Sequence, residues 1–389
     1  MSRILFLVTG MSPQIVTETI WALACDPDAD ESWVPDQVRV LSTKTGLSKI
    51  REMLFDNGRW EKFKSDYPCL QKTQFGASSL VCIGVSDSET GQFTELDDLK
   101  TPEHNEAAAN SICQFVREFT DQPDVDLHVS IAGGRKTMGF YAGYALSVYG
   151  RAQDRLSHVL VDSQYESAES FFYPTPESRM ITSRSGARLD ASEAKVWLAS
   201  IPFIRMRDAV RDKHALKSSA SFGAVVNQIN ESFKQITLTL LVHKRQIQVN
   251  QLPAVKLSPS EFAFLHWFAE RQLKGESGIV APTVKNTDRK GVTAEQSDHI
   301  QRLTDDFVPY LERQSASLDP DNHEFSFDKT FFESTKSRLM DNLRTELGLE
   351  LAAKINLAQE ARGKPFYLDL PAGSIQIDDR FADPVPEGA

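Results

Sequence analysis

The sequence predicts a doubly wound, mostly parallel α/β sheet followed by a second, smaller α+β domain. Three observations carry this. From Ile4 to Val161, short apolar runs alternate with stretches of helical periodicity. The runs are continuous, as in strands buried on both faces, and do not alternate as half-exposed strands do. Beyond Phe171 the pattern changes, and a chain of 389 residues is too long for one ordinary core.

Each element follows from its own stretch of sequence. Ile4 to Val8 reads as the first strand. Ser12-Pro13 offers an N-cap with proline at the first helical position, and the helix runs on through Ile15, Ile20, Trp21 and Leu23. Val38 to Leu41 is the second strand, Leu47 to Leu54 opens a second helix, and Leu80 to Val85 is the third strand. Asn105 to Phe119 places Ala108, Ile112, Phe115, Val116 and Phe119 in helical phase. Val125 to Ile131 is the fourth strand. It enters Gly133-Gly134 and then a helix over Lys136 to Tyr149. His158 to Val161 is the fifth strand, giving a Rossmann-like sheet with the expected order 3-2-1-4-5. Phe171 to Pro174 reads as a short strand, Pro176 to Arg188 as a loop or hairpin, and Trp197 to Val210 has apolar residues at mixed spacing. The basic stretch Arg205, Arg207, Arg211, Lys213 and Lys217 reads as a solvated connector, with a phosphate-facing role as the alternative.

In the second half, Ile236 to Val242 and Gln246 to Val249 alternate like two strands about a His243-Lys244-Arg245 turn. Leu257-Ser258-Pro259-Ser260-Glu261 is a strong helix start before the apolar face Phe262, Phe264, Leu265, Trp267 and Phe268. Gly275 to Ser297 reads as a loop. Two helices follow, over Asp298 to Glu312 and Lys329 to Leu347, and Lys364 to Leu370 reads as a closing strand. Strands, three helices and a hairpin make the order of a winged helix-turn-helix. The expected division is 1–210 for the ligand-binding α/β domain, 211–235 for a connector helix, 236–379 for the winged-helix-like domain and 380–389 for a disordered tail.

Composition narrows the function. The chain is 41% apolar and 25% charged. It has no apolar run of the roughly 18 residues a membrane span needs, so a cytoplasmic protein with no membrane partner is expected. The formal charge of −11 argues against a general electrostatic grip on nucleic acid. Any polyanion must bind in a local pocket. Cys25, Cys69, Cys82 and Cys113 are scattered and read as reduced, buried thiols. The eight histidines show no metal-ligand spacing, so no metal and no cofactor are expected.

Two loops carry the chemistry. In an open parallel sheet, ligands bind beyond the carboxyl ends of the strands, where strand order reverses. The loop after strand one holds Gly10, Met11, Ser12 and Gln14, and that after strand four holds Gly133, Gly134, Arg135, Lys136 and Thr137. Both lead into helix N-termini, whose unpaired N–H groups suit phosphate oxygens. Glycines admit close backbone approach. The second loop superficially resembles a P-loop, but Arg135 intervenes and the upstream glycine is absent. No histidine lies in either loop, so strong acid–base catalysis is not expected there.

Val8-Thr9-Gly10-Met11-Ser12-Pro13-Gln14 and Ser130-Ile131-Ala132-Gly133-Gly134-Arg135-Lys136-Thr137-Met138 resemble the signature segments of CRISPR-associated Rossmann fold (CARF) proteins. Ile201-Pro202-Phe203-Ile204-Arg205 resembles a segment closing that domain in one subfamily. The resemblance covers about the first 210 residues. It implies a homodimer that binds cyclic oligoadenylate, the messenger of type III CRISPR defence, with cyclic tetra-adenylate the expected ring. It also implies ring-nuclease activity. Ser12 and Lys136 match the family's catalytic serine and lysine. Gly10, Met11, Gln14, Gly133, Gly134, Arg135 and Thr137 match ligand-contacting positions. The rival expectation is a ligand-sensing transcription regulator that does not cleave the ring. In it, Lys336, Arg338 and Arg344 form the basic face of a recognition helix on DNA. Against this, the residues from Ser219 onward hold 19 Lys and Arg and 24 Asp and Glu, a net of −5, where a DNA-binding domain is usually basic.

Overall fold

The computed structural model describes residues 1–87, 90–166, 168–211, 221–285, 292–314 and 325–379. The expected tail at 380–389 lies outside them, as do Lys213, Lys217 and most of the first part of the expected connector. The chain divides into two compact units, one comprising Met1–Ala209 with Ser221–Gly223 and the other the remaining described chain.

The first unit opens with β1 (Ser2–Val8), α1 (Gln14–Ala24), β2 (Gln37–Ser42), α2 (Lys44–Ile50), α3 (Arg59–Asp66) and β3 (Leu80–Cys82). A small hairpin of β4 (Gly84–Ser86) and β5 (Phe93–Glu95) leads to α4 (Pro102–Thr120), β6 (Val125–Ser130), α5 (Lys136–Tyr149), β7 (Arg155–Val161) and the short α6 (Ser163–Glu166). The hairpin β8 (Met180–Thr182) and β9 (Arg188–Asp190), then β10 (Val196–Ser200) and α7 (Arg207–Arg211), follow. The sheet order is β10-β7-β6-β1-β2-β3, parallel except for β10. Without β10 this is the expected 3-2-1-4-5 order.

Both faces of the sheet are covered, which is why the central strand is apolar throughout. Ile4 to Val8 are at most 4% exposed. Leu5 and Leu7 pack in one cluster with Val16, Ile20 and Trp21 of α1. Phe6, on the opposite face, stacks on Phe115 of α4 at 5.5 Å between ring centres. This is the alternation that a pleated strand imposes.

Several expectations are corrected. The third strand breaks at Ile83: β3 stays in the main sheet and β4 leaves it to pair with β5. Phe171 to Pro174 is buried but is no strand. Side chains take its carbonyls, Thr17 Oγ1 donating to Phe172 O at 2.6 Å and Tyr67 Oη to Pro174 O at 2.7 Å. The Trp197 region holds the antiparallel edge strand β10, in which Val196 is buried and Trp197 is exposed. Arg205, which is exposed, and the half-buried Arg207 are both tied to backbone carbonyls. Arg205 donates to the carbonyls of Arg151 and Asp154, and Arg207 to those of Thr120 and Tyr149. Cys25 and Cys69 are not scattered in space, since their Sγ atoms lie 3.7 Å apart.

The second unit contains α8 (Phe222–Ser232) for most of its length, β11 (Leu238–Leu241), β12 (Gln246–Val249), β13 (Val255–Lys256), α9 (Pro259–Lys274), α10 (Ala294–Glu312), α11 (Lys329–Leu347) and α12 (Leu349–Lys354). It ends in the hairpin β14 (Leu357–Gln359) and β15 (Phe366–Leu368), then β16 (Ile375–Asp378). The closing strand is therefore β16, not Lys364 to Leu370. β16 pairs in parallel with β11 in a sheet of order β13-β12-β11-β16. The start of α9 has the expected capping box: Ser258 N donates to Glu261 Oε2 at 3.0 Å and Glu261 N to Ser258 Oγ at 3.4 Å. Reciprocal caps of this kind satisfy two helix-end donors at once. Phe264, Trp267 and Phe268 then pack with Phe307 of α10 and Phe332 of α11 in one core.

Candidate functional site

β1 and β6 are parallel neighbours, with Leu7 opposite Ser130. Their chains turn out of the sheet at the same end, into α1 and α5 respectively. This is the reversal point of the strand order, where the crossovers diverge and leave a crevice.

The two loops meet backbone to backbone. A Cβ placed on Gly10 would lie 2.8 Å from Gly134 Cα and 3.0 Å from Gly134 N. Gly133 and Gly134 have φ of +82° and +78°, the left-handed region that side chains disfavour. A Cβ on Gly133 would also lie 2.6 Å from Ile15 Cδ1 and 3.0 Å from Thr9 Oγ1. That Thr9 hydroxyl is buried without a hydrogen-bond partner.

Both helices start without a side-chain cap. The residue preceding α1 is Pro13, and Ser12 is exposed and caps nothing, contrary to its expected capping role. Arg135 precedes α5 and makes no cap either. At α1, Ile15 N and Val16 N donate to Ser12 O and Pro13 O, and at α5 Met138 N donates to Arg135 O, while the Lys136 and Thr137 N–H groups have no acceptor among the described residues. Lys136 and Thr137, the first residues of α5, are exposed, and the Lys136 ammonium has no ion pair among the described residues. Arg135 is engaged: Nη2 and Nε donate to Asp98 at 2.5 and 3.2 Å. That hydrogen bond holds the exposed Asp98 carboxyl below its usual value and raises the Arg135 guanidinium. Met11 is exposed, and Gln14 Nε2 donates to Glu169 O at 3.4 Å.

Beside the loops lies a pocket of about 450 Å³, within the size range of small-molecule sites. Ser12, Gln14 and Gly133 line it, together with Ile15, Glu18, His158, Glu166 and Glu169. The structure thus gathers three of the expected residues around one cavity, while Gly10, Met11, Gly134, Arg135, Lys136 and Thr137 do not line it. Reading the loops alone missed Glu18 and Glu166. Glu18 is 7% exposed, and burial, aided by the nearby Glu166, pushes its carboxyl up to about 8. Its signal was present in the sequence: α1 is buried from Val16 to Ala24, and Glu18 is its one charged residue.

The family model described as CRISPR-associated protein NE0113 matches residues 12–234, more than half of the chain. The chain belongs to this CRISPR-associated family. No curated protein matches it. The NE0113 match begins at Ser12 and takes in the Gly133–Thr137 loop and every residue named around the pocket.

Lys336, Arg338 and Arg344 lie beyond the span that the NE0113 model matches. They do not share one face. Lys336 and Arg344 line a groove of about 760 Å³ between α11 and the β14–β15 hairpin, with Lys329, Arg362 and Lys364. Lys336 sits over the Phe366 ring at 4.1 Å, and burial lowers its ammonium from the usual lysine value. Arg344 pairs with Asp341 at 3.2 Å. Arg338 does not line the groove and folds back on its own helix, donating to Ser334 O and Thr335 Oγ1. Among the described residues, no helix is long and apolar enough to cross a membrane.

Proposed function

We propose that this protein is a CARF-type ring nuclease, binding cyclic oligoadenylate at the Gly10 and Gly134 turns and cleaving it without a metal. The contact between those two turns, at the strand-order reversal and under two uncapped helix N-termini, carries this reading. It brings the two turns into direct contact, backbone against backbone, at Gly10 and Gly134. Cyclic tetra-adenylate is the ring expected. Two copies of the chain would grip it across a two-fold axis, each with the same loops.

In the proposed step a ribose 2′-hydroxyl gives its proton to water and its oxygen attacks the adjacent phosphorus. The bond from phosphorus to the 5′-oxygen breaks, the leaving oxygen takes a proton from water, and a 2′,3′-cyclic phosphate remains. Holding the 2′-oxygen in line with the leaving group supplies much of the acceleration. Lys136, free of ion pairs, stabilises the negative charge that grows on the phosphate oxygens. The exposed Ser12 hydroxyl, committed to no cap, orients the 2′-oxygen or a phosphate oxygen. Cleavage of this kind would switch off the signal of a type III CRISPR system. Incubation with labelled cyclic tetra- and hexa-adenylate in EDTA tests the reading. Linear fragments ending in a cyclic phosphate support it, and Lys136→Ala should lower turnover about 100-fold or more. Unchanged turnover in that variant would sink the assignment.

A second reading, a ring-sensing transcription regulator, is favoured by one observation: five cationic side chains line the α11 groove, against Glu333 and Asp341. Ring binding without cleavage, together with retardation of a promoter fragment, would favour this reading.

A further inference from the structure

The pocket beside the glycine turns has a polarity that the phosphate chemistry does not use. Ser12, Gln14 and Gly133 of the two loops line one part of it. Its inner wall holds Glu18 on α1, Glu166 on α6 and Glu169 just after it. The Glu166 and Glu169 carboxyl groups disfavour a phosphate there, so the part of a ligand reaching the wall carries no negative charge. Glu18 is the deepest of the three, 7% exposed, and makes no hydrogen bond to any described residue. A buried polar group left without a partner is costly, and such groups in binding sites are completed by the ligand. No group of three His, Cys, Asp or Glu side chains among the described residues is arranged to hold a metal ion.

We propose that this wall is a nucleobase subsite in which the Glu18 carboxyl reads the edge of an adenine. That edge offers a ring-nitrogen acceptor beside an exocyclic amine donor. A protonated carboxyl presents the complementary pair, its O–H donating to the nitrogen and its carbonyl oxygen accepting from the amine. An ionised carboxylate only accepts and could not meet the ring nitrogen, so this two-point contact needs the neutral carboxyl. The wall thereby adds a base contact to the phosphate contacts proposed for the glycine turns. The burial that keeps Glu18 protonated near neutral pH fits this role. Glu166, Glu169 and His158 are the other titratable groups around the same pocket.

This inference rests on the ring-ligand reading above, and one binding series separates the two. Dissociation constants for cyclic tetra-adenylate are measured with wild type, Glu18→Gln and Glu18→Leu, each checked for native melting. Glu18→Leu should bind about 5- to 100-fold more weakly, the worth of a bidentate base contact. Glu18→Gln, whose amide offers the same donor and acceptor, should restore most of that loss. The wild type should weaken above about pH 8, while the Gln variant should not share that fall. If the wild type binds no cyclic oligoadenylate, the functional reading fails first. If it binds and all three proteins bind alike, the base subsite alone is overturned.

Discussion

Replacing Gly10 by alanine adds one methyl group where the two loops touch. The new Cβ would lie 2.8 Å from Gly134 Cα and 3.0 Å from Gly134 N, against 3.4 Å or more for an ordinary contact. Both obstacles are backbone, so no rotamer change relieves them, and the turns must part by about 0.6 Å. Gly10 does not have a positive φ, so the perturbation is steric alone. Overpacking of this kind costs about 1–3 kcal/mol. A displacement of about 1 Å near reacting groups can cost on the order of 100-fold in rate, so a roughly 10-fold fall in ring cleavage is expected here. Urea unfolding and single-turnover cleavage of cyclic tetra-adenylate give the two readouts. Gly143→Ala supplies the control. That Cβ meets only Leu156 Cδ2 at 3.6 Å within α5, so the change should stabilise by about 0.5–1 kcal/mol. Wild-type stability and wild-type cleavage in Gly10→Ala would refute the backbone contact and the site built on it.

Three further outcomes follow from buried charge. Asp154 is fully buried and takes hydrogen bonds from Arg151 N, Nε and Nη2 at 2.6–3.0 Å. Asp154→Ala strands a mostly buried guanidinium and should cost about 3–5 kcal/mol in urea unfolding. His128 donates to or accepts from Ser157 Oγ at 2.7 Å, and burial pushes it down to about 3. Between about 3 and its ordinary 6.5 the unfolded chain binds the extra proton, so its contribution to stability is lost as pH falls through that window. Glu18 acts with the opposite sign. The native state keeps its proton up to about 8 while the unfolded chain releases it near 4.5, so stability falls as pH rises between them. A wild-type decline from pH 6.5 to 8 that flattens in Glu18→Gln is expected in melting curves. The same slope in both proteins would contradict a buried, protonated Glu18.

The sheet was legible because its signal is local. A strand buried on both faces must be apolar along its whole length, as Ile4 to Val8 are, and a helix start must satisfy its donors, as Ser258 and Glu261 do. The loops that end such strands could then be placed by topology alone. What misled was apolar character without a partner. Phe171 to Pro174 reads as a strand, but the burial comes from α1 and α3, and side-chain hydroxyls take the hydrogen bonds that a neighbouring strand would have made. β10 was obscured for the converse reason. An edge strand buries one face only, and here the buried Val196 and the exposed Trp197 are both apolar, so no alternation marks the strand.

The same reasoning explains why the site emerged from the sequence incomplete. Glycines and a lysine at strand ends announce a phosphate, because their chemistry lies in the loop itself. Glu18 is five residues into a helix, where periodicity reports only that the position faces inward. The β7–α6 segment supplies the rest of its surroundings, and that segment is remote in sequence. A carboxyl at an inward position has two possible fates, an ion pair or a neutral state. Here the nearest charge is another glutamate, Glu166, and no cation among the described residues pairs with Glu18. Only the neutral state remains at moderate pH, and a neutral carboxyl is a donor as well as an acceptor. On the proposed reading the loops meet the phosphodiester, and any contact to a base has to come from the helix behind them.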